Sequence, residues 1–279
     1  MRGAPSAVDA VADTGIGTET DTENVDIVEV DESWWSWSGA HGGYVAALTL
    51  AAMRDPDPRR AHPIRALTAH FLAPAAAGPL HLSVVRPSVR RRASTCAVTG
   101  RQDGGAVLIG SAVFGAGRPG TSYDGRPPTA VAGPEDCDPL HLSGVAPFAR
   151  NFEIRATGDT RPLAGGDRAE LVAWVRFADG RPLDAEAVVI LTDVLPPALY
   201  ARWRAPRPVP TAELTVHFTD VLDTGPVEGW ALVRIRTDQA GGGWAIDESE
   251  VRTADGRLLA VARQSRVIQD AARDAPAPA

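Results

Sequence analysis

Thr68-Ala69-His70-Phe71, in the first half of the chain, recurs in the second half as Thr215-Val216-His217-Phe218. A Gly-Pro pair follows each copy at the same distance, at residues 78–79 and at residues 225–226. The five identical positions in the two copies are all separated by 147 residues. One such match could arise by chance, whereas five at a single spacing indicate a tandem duplication. The repeat therefore predicts two domains of the same fold.

Each half of the sequence has the pattern of one buried helix and a series of strands. In the first half, residues 43–53 are rich in Ala and Leu and apolar on nearly every side, which predicts a buried helix. Alternating segments bounded by turn residues predict strands at 64–72, 80–89, 94–102 and 106–114. In the second half, the same reasoning predicts a helix at 184–203 and strands at 168–178, 211–219, 229–238, 244–254 and 257–267. An antiparallel sheet wrapped round one long buried helix accounts for this order, so the expected fold is α+β, a double hotdog made of two fused hotdog domains.

The segments outside the repeats differ in composition from the domains. Residues 1–25 are acidic and lack periodicity, and residues 269–279 end in alternating Ala and Pro, so both are expected to be disordered tails. Residues 116–148 are rich in Gly, Pro and Asp, which predicts an interdomain linker. The N-terminal hotdog is then expected at residues 26–115 and the C-terminal hotdog at residues 149–268.

The composition argues against several classes of protein. The 279 residues carry a formal net charge of -7 and no basic stripe, so a nucleic-acid partner is not expected. Cys96 and Cys137 are far apart and the six histidines lack metal-binding spacings, so neither a disulfide framework nor a metal site is expected. No apolar run is long enough to span a bilayer, which predicts a cytoplasmic protein without membrane contact. Free sheet edges favour assembly into a homo-oligomer.

Short motifs in both halves resemble one family of enzymes. In the first half, Gly42-Gly43 opens the predicted helix, and residues 70–74 read His-Phe-Leu-Ala-Pro. In the second half, Leu191-Thr192-Asp193, then Thr211, and then residues 258–264, which end in Gln264, follow in order. Together these motifs resemble the double-hotdog acyl-CoA thioesterases of the thioesterase II type, over nearly the whole chain outside the tails.

The resemblance implies that the chain hydrolyses an acyl-CoA substrate to free acid and CoA, in fatty acid metabolism, without a cofactor. It also implies that Asp193, Thr211 and Gln264 are the catalytic residues. Hydrolysis needs a water that loses a proton as it attacks, and a carboxylate can take that proton. A threonine hydroxyl and a glutamine amide both donate and accept hydrogen bonds, so they can hold the water against the carboxylate.

The start of the first predicted helix is the expected place for the oxyanion formed during hydrolysis. Backbone N–H groups at a helix N-terminus have no partner within the helix and can donate to a negative charge. Gly42 and Gly43 suit this place because the absence of side chains lets a substrate carbonyl approach the backbone. His41, beside them, is an expected substrate contact and the alternative candidate for the base.

Each of these residues also has a purely structural interpretation. Asp193 could cap a helix, Gln264 could face solvent, and Thr211 could simply begin a strand. Gly42-Gly43 could form a tight turn, and His41 could be an ordinary loop residue. Two other functions also remain open, a hotdog acyl-CoA hydratase or dehydratase and a non-catalytic acyl-CoA-binding protein.

Overall fold

The structure, a computed structural model, describes residues 24–55, 61–128, 130–144 and 146–269. The two predicted tails, residues 1–25 and 269–279, lie almost entirely outside this part of the chain. Within it are two α-helices, α1 (Gly42–Met53) and α2 (Ala185–Leu191). The strands are β1 (Asn24–Val30), β2 (Ile64–Phe71), β3 (Gly78–Arg90), β4 (Ala93–Gln102), β5 (Gly105–Gly115), β6 (Asp138–Pro139), β7 (Phe152–Thr157), β8 (Glu170–Phe177), β9 (Thr211–Phe218), β10 (Ala231–Gly241), β11 (Trp244–Thr253) and β12 (Leu258–Val267).

All twelve strands belong to one sheet, in the order β1-β3-β4-β5-β2-β9-β12-β11-β10-β8-β7-β6. The two halves meet where β2 pairs antiparallel with β9, so the two strands that carry the repeated tetrapeptide are neighbours in the sheet. Thr68 lies opposite Thr215, and their hydroxyl oxygens are 3.1 Å apart. A pseudo-two-fold axis therefore passes between these two threonines, and the double-hotdog fold expected from the repeat is confirmed.

The two helices pack against each other and against the sheet. In α1 the buried residues include Val45, Leu50 and Met53, and in α2 all residues but Glu186 are buried. The start of each helix lies beside the end of the other. At one pair of ends the Arg54 guanidinium donates to the Glu186 carboxylate through Nε (2.5 Å) and Nη2 (2.9 Å). At the other pair of ends is the candidate active site.

The prediction of a helix at 184–203 is wrong about the length of this helix. Asp184 caps α2 by accepting a hydrogen bond from the N–H of Ala187 (2.7 Å), but the helix ends at Leu191. Pro196-Pro197 follows, and proline can neither donate a backbone hydrogen bond nor allow a helical residue before it, so only a short 3₁₀ turn forms at Ala198–Ala201. The buried helix of the second half is consequently short, not long.

Three strands were absent from the prediction. β1 is an edge strand whose charged residues obscure its alternation, and it enters the sheet at Asn24, two residues before the predicted start of the first domain. β6 lies within the predicted linker, residues 116–148. β7 precedes β8, and its Glu and Arg side chains alternate with buried apolar residues.

Candidate active site

Asp193 lies in the turn after α2 and faces the N-terminus of α1. Its carboxylate Oδ2 accepts a hydrogen bond from the backbone N–H of Gly43 (3.0 Å), and its own backbone N–H donates to the carbonyl of Ile190 (3.1 Å). Asp193 is 9% exposed. It caps neither α2, which Asp184 caps, nor the 3₁₀ turn that follows, which has no side-chain cap. The site therefore joins the second half of the chain to the first helix of the first half.

Two glycines allow this close approach. A Cβ atom on Gly43 would lie 2.9 Å from Cε1 of His41 and 3.0 Å from Cβ of Asp193. A Cβ atom on Gly42 would lie 3.1 Å from Oδ2 of Asp193 and 3.4 Å from the ring of Phe71. The three separations from His41 and Asp193 are shorter than ordinary contacts between heavy atoms. Gly42 and Gly43 thus lie in the first turn of α1, and because they have no side chains, the Asp193 carboxylate can reach the N-terminus of this helix.

Gln264 and Arg266 approach Asp193 from β12. They are two residues apart on one strand, so their side chains lie on the same face. Gln264 Nε2 donates to Asp193 Oδ1 (2.7 Å), and Arg266 Nη2 donates to the same oxygen (3.0 Å). Arg266 Nη2 also donates to Gln264 Oε1. Gln264 is 1% exposed and Arg266 4% exposed, so Gln264 does not face solvent.

Thr211 belongs to the same cluster but reaches Asp193 only through Arg266. Its hydroxyl accepts a hydrogen bond from Arg266 Nη1 (2.8 Å). A β-bulge at Ala212 shifts the register between β9 and β12, so that Arg266 lies opposite Thr211 while Ser265 lies opposite Glu213. The structure therefore brings Asp193 and Gln264 together directly, and joins Thr211 to them through an arginine that the sequence interpretation did not assign to the site.

His41 is a buried N-cap and not a loop residue. Its Nδ1 accepts a hydrogen bond from the N–H of Tyr44 (3.2 Å), and its Nε2 is 2.9 Å from the backbone carbonyl of Asp193. A carbonyl only accepts, so the ring proton is on Nε2 and both ring nitrogens are occupied. Burial lowers the pKa of His41 more than the nearby Asp193 carboxylate raises it. The imidazole is therefore neutral at neutral pH.

Asp193 is ionised although it is buried. Burial by itself raises its pKa, but His41, Arg266, the Gln264 amide and the Gly43 N–H together outweigh burial and hold the pKa below its usual range. Because His41 is uncharged at neutral pH, Arg266 is the cation in contact with this carboxylate there. The buried guanidinium therefore favours the ionised form of Asp193 at neutral pH.

A second buried carboxylate, Asp247, also contacts Arg266. Its Oδ2 is 2.9 Å from Arg266 Nε, as an ion pair whose angle is too bent for a hydrogen bond. Its Oδ1 accepts from the hydroxyl of Thr237 (2.6 Å). Asp247 is 1% exposed. One guanidinium therefore lies between two buried carboxylates, and removing it would leave both without a cation.

Sequence models of two consecutive domains match the chain. Residues 31–115 match the acyl-CoA thioesterase N-terminal domain, and residues 134–268 match the acyl-CoA thioesterase C-terminal domain. The chain belongs to the acyl-CoA thioesterase family. It is a thioester hydrolase with the double-hotdog fold. None of the curated proteins matches it in sequence.

Solved structures with the same fold cover most of the chain. A hotdog-fold protein of unknown function from Alicyclobacillus acidocaldarius is 27% identical, with a TM-score of 0.82 over 88% of this chain and 93% of that one. A protein from Thermobifida fusca described as a thioesterase II is 23% identical, with a TM-score of 0.77 over 89% and 93%. The acyl-CoA thioesterase II of Mycobacterium marinum is 21% identical, with a TM-score of 0.67 over 88% and 96%. The last two likenesses are evidence of the fold alone.

Neither a metal-binding cluster nor a membrane-spanning helix occurs among the residues that the structure describes. Among them, no three His, Cys, Asp or Glu side chains are grouped so as to hold a metal ion. In the same residues, no helix has the length and apolar character needed to cross a bilayer.

Proposed function

We propose that the chain hydrolyses acyl-CoA thioesters to free acid and CoA with a water molecule that Asp193 activates. The observation that carries this proposal is the position of Asp193, an ionised and buried carboxylate hydrogen-bonded to the first turn of α1. A carboxylate at that position can take a proton from water beside a group of N–H donors that stabilise negative charge. Gln264 and Arg266 hold the carboxylate in place.

The hydrogen bonds of Asp193 leave one of its two oxygens available to water. Each carboxylate oxygen has about two acceptor positions. Oδ1 accepts from Gln264 Nε2 and from Arg266 Nη2, so both of its positions are used. Oδ2 accepts from the N–H of Gly43 and has a position left. Gly42, which is half-buried and has no side chain, borders Oδ2 and keeps that approach open.

In the proposed reaction, water bound to Oδ2 attacks the thioester carbonyl carbon and gives a proton to Asp193. The carbonyl oxygen becomes an oxyanion, which the N–H of Gly42 stabilises together with the dipole of α1. That N–H donates to no other group in the part of the chain that the structure describes. The carbon–sulfur bond then breaks, and the proton on Asp193 passes to the thiolate of CoA. No covalent enzyme intermediate forms.

Gln264 and Thr211 serve this reaction by orienting the groups around the water. Gln264 holds Oδ1 through one amide hydrogen and has a second hydrogen that can donate to the water. Thr211 is half-buried at the start of β9 and fixes the far end of Arg266. Both residues therefore position the base, and Asp193 alone transfers the proton.

The proposal is tested by thiol release from a panel of acyl-CoAs, short, long and aromatic, with wild-type protein and the Asp193→Asn variant. Asparagine keeps the size of the side chain but cannot accept the proton, so kcat should fall by about 10²- to 10⁴-fold. Asp138→Asn is the matched control, because Asp138 is exposed on the short edge strand β6. It should release thiol at the wild-type rate.

Two results would refute this assignment. Near-normal turnover in Asp193→Asn, with unchanged thermal unfolding, would mean that the base is another group. Absence of thiol release from every acyl-CoA by the wild-type protein would instead favour a binding role.

One contact favours a hydratase or dehydratase as the second candidate. His41 Nε2 lies 3.4 Å from Asp193 Oδ2, and such a His–Asp pair can move protons on an acyl chain. Both ring nitrogens of His41, however, are engaged by backbone groups, so the ring must leave its capping position before it can act. A change in double-bond absorbance of an enoyl-CoA without thiol release would support this second function.

A further inference from the structure

Arg266 contacts four side chains in and beside the candidate site, although the sequence did not point to it. Its guanidinium contacts Thr211 through Nη1, Asp193 and Gln264 through Nη2, and Asp247 through Nε. It is 4% exposed, so these contacts are not diluted by solvent. Burying a cation costs free energy unless its N–H groups have hydrogen-bond partners. Most of the N–H groups of Arg266 have such partners here.

We infer that Arg266 is a positioning residue that keeps Asp193 charged, fixes the orientation of the Gln264 amide and couples Thr211 to both. This inference rests on the proposed function, because it assigns the ionised form of Asp193 to catalysis. It adds a residue to the site that neither the domain match nor the sequence motifs point to.

The amide of Gln264 has one orientation in this network. Its Oε1 faces Arg266 Nη2, which can only donate, and its Nε2 faces Asp193 Oδ1, which can only accept. If the amide were flipped, a donor would face the guanidinium and an acceptor would face the carboxylate, and both contacts would be repulsive. Arg266 thereby directs the Gln264 N–H groups toward the carboxylate and the adjacent water position.

At neutral pH, Arg266 carries the positive charge that contacts the Asp193 carboxylate. The first turn of α1 contributes His41, which is neutral at neutral pH. Near Arg266, the segment after α2 contributes Tyr200, whose hydroxyl donates to the carbonyl of Arg207, and β11 contributes Asp247, which is itself acidic. Burial alone raises the pKa of Asp193. Without Arg266, the carboxylate would be more easily protonated and would no longer be ready to take a proton from water.

The test is a direct titration of Asp193 by carbon-13 NMR of labelled aspartate, with the signal assigned from Asp193→Asn. In the wild type we expect Asp193 to titrate below the usual range of aspartate, and in Arg266→Gln at a higher pH than in the wild type. Arg263→Gln is the matched control, because Arg263 lies on the same strand with its side chain 58% exposed. It should leave the titration unchanged. An unchanged titration in Arg266→Gln would overturn the inference, and so would a wild-type Asp193 that titrates above its usual range.

A second variant separates charge from geometry. Arg266→Lys keeps the positive charge, but one ammonium group cannot reach Thr211, Gln264 and Asp193 together. The titration of Asp193 should therefore remain near that of the wild type, while kcat falls by about 10²-fold because the base is displaced. Wild-type kcat in this variant would overturn the positioning role. The titrations need no turnover, so they test Arg266 even if Asp193→Asn retains activity and the proposed function fails.

Discussion

Replacing Gly43 by alanine tests the contact between the two halves at the active site. The new Cβ would lie 2.9 Å from Cε1 of His41, 3.0 Å from Cβ of Asp193 and 3.1 Å from the carbonyl oxygen of Ile190. Favourable separations between such atoms are about 3.5–4.0 Å. None of the three neighbours is the free end of a flexible chain, because His41 is fixed at both ring nitrogens. Asp193 must therefore move away from α1 by roughly 0.5–1 Å.

Two opposing effects determine how much Gly43→Ala changes the free energy of unfolding. Alanine gains up to about 1 kcal/mol over glycine in a helix, whereas overpacking a buried contact costs about 1–3 kcal/mol. The net destabilisation is then about 1 kcal/mol, which lowers Tm by about 2–4 °C in a protein of this size. The effect on activity is larger, since a displacement of about 1 Å in a catalytic group can cost about 10²-fold in rate.

The assay pairs thermal unfolding with kcat/KM for the best acyl-CoA found in the panel. Gly120→Ala is the control, because no atom lies within 4 Å of a Cβ at that position. We expect Gly43→Ala to lose about 10²-fold in kcat/KM while its Tm falls only slightly. Wild-type kcat/KM and Tm in Gly43→Ala would refute the packing described for the junction of α1 with Asp193.

Two further predictions concern the acid stability of the fold and the junction of its sheet. Because the pKa of His41 is lowered in the folded state, stability should fall as the pH drops below about 6.5, where the unfolded chain takes up the proton first. The His41→Asn variant can still cap α1. In urea titrations, its free energy of unfolding should fall less between pH 7 and pH 5 than that of the wild type, and equal losses would contradict this account. Thr68→Val should destabilise the protein by about 1 kcal/mol, because the Thr215 hydroxyl, which donates its own proton to Glu213, loses the hydrogen bond that it accepts from Thr68. The double variant with Thr215→Val, which also removes the donor to Glu213, should lose less than the sum of the two single losses, and strictly additive losses would argue against the pairing of these hydroxyls.

The repeat and the order of the predicted helices and strands were sufficient to predict the fold, whereas the detail of the site depended on contacts between distant segments. Thr68 and Thr215 belong to copies of one motif, and the same motif forms the junction of the sheet. The length of the second helix was overestimated because its apolar pattern continues past Leu191, although the prolines that follow end it.

Arg266 illustrates what the sequence could not provide. Its position two residues after Gln264 places both side chains on one face, which was a usable signal. Its contact with Thr211 depends on the β-bulge at Ala212, and local composition does not reveal that bulge. Its ion pair with Asp247 depends on the register of β11 with β12. Such pairings are set by the packing of the whole sheet.

The two pairs of helix ends also bear on how a duplicated chain evolves. In a dimer of identical subunits, every substitution is present twice, so the two ends must keep the same residues. Fusion into one chain removes that constraint, and here the ends have diverged. Arg54 and Glu186 form an ion pair at one end, while Gly43 and Asp193 meet at the other. In the fused chain, one pair of helix ends can therefore keep residues that hold the helices together, while the other pair is free to evolve as the active site.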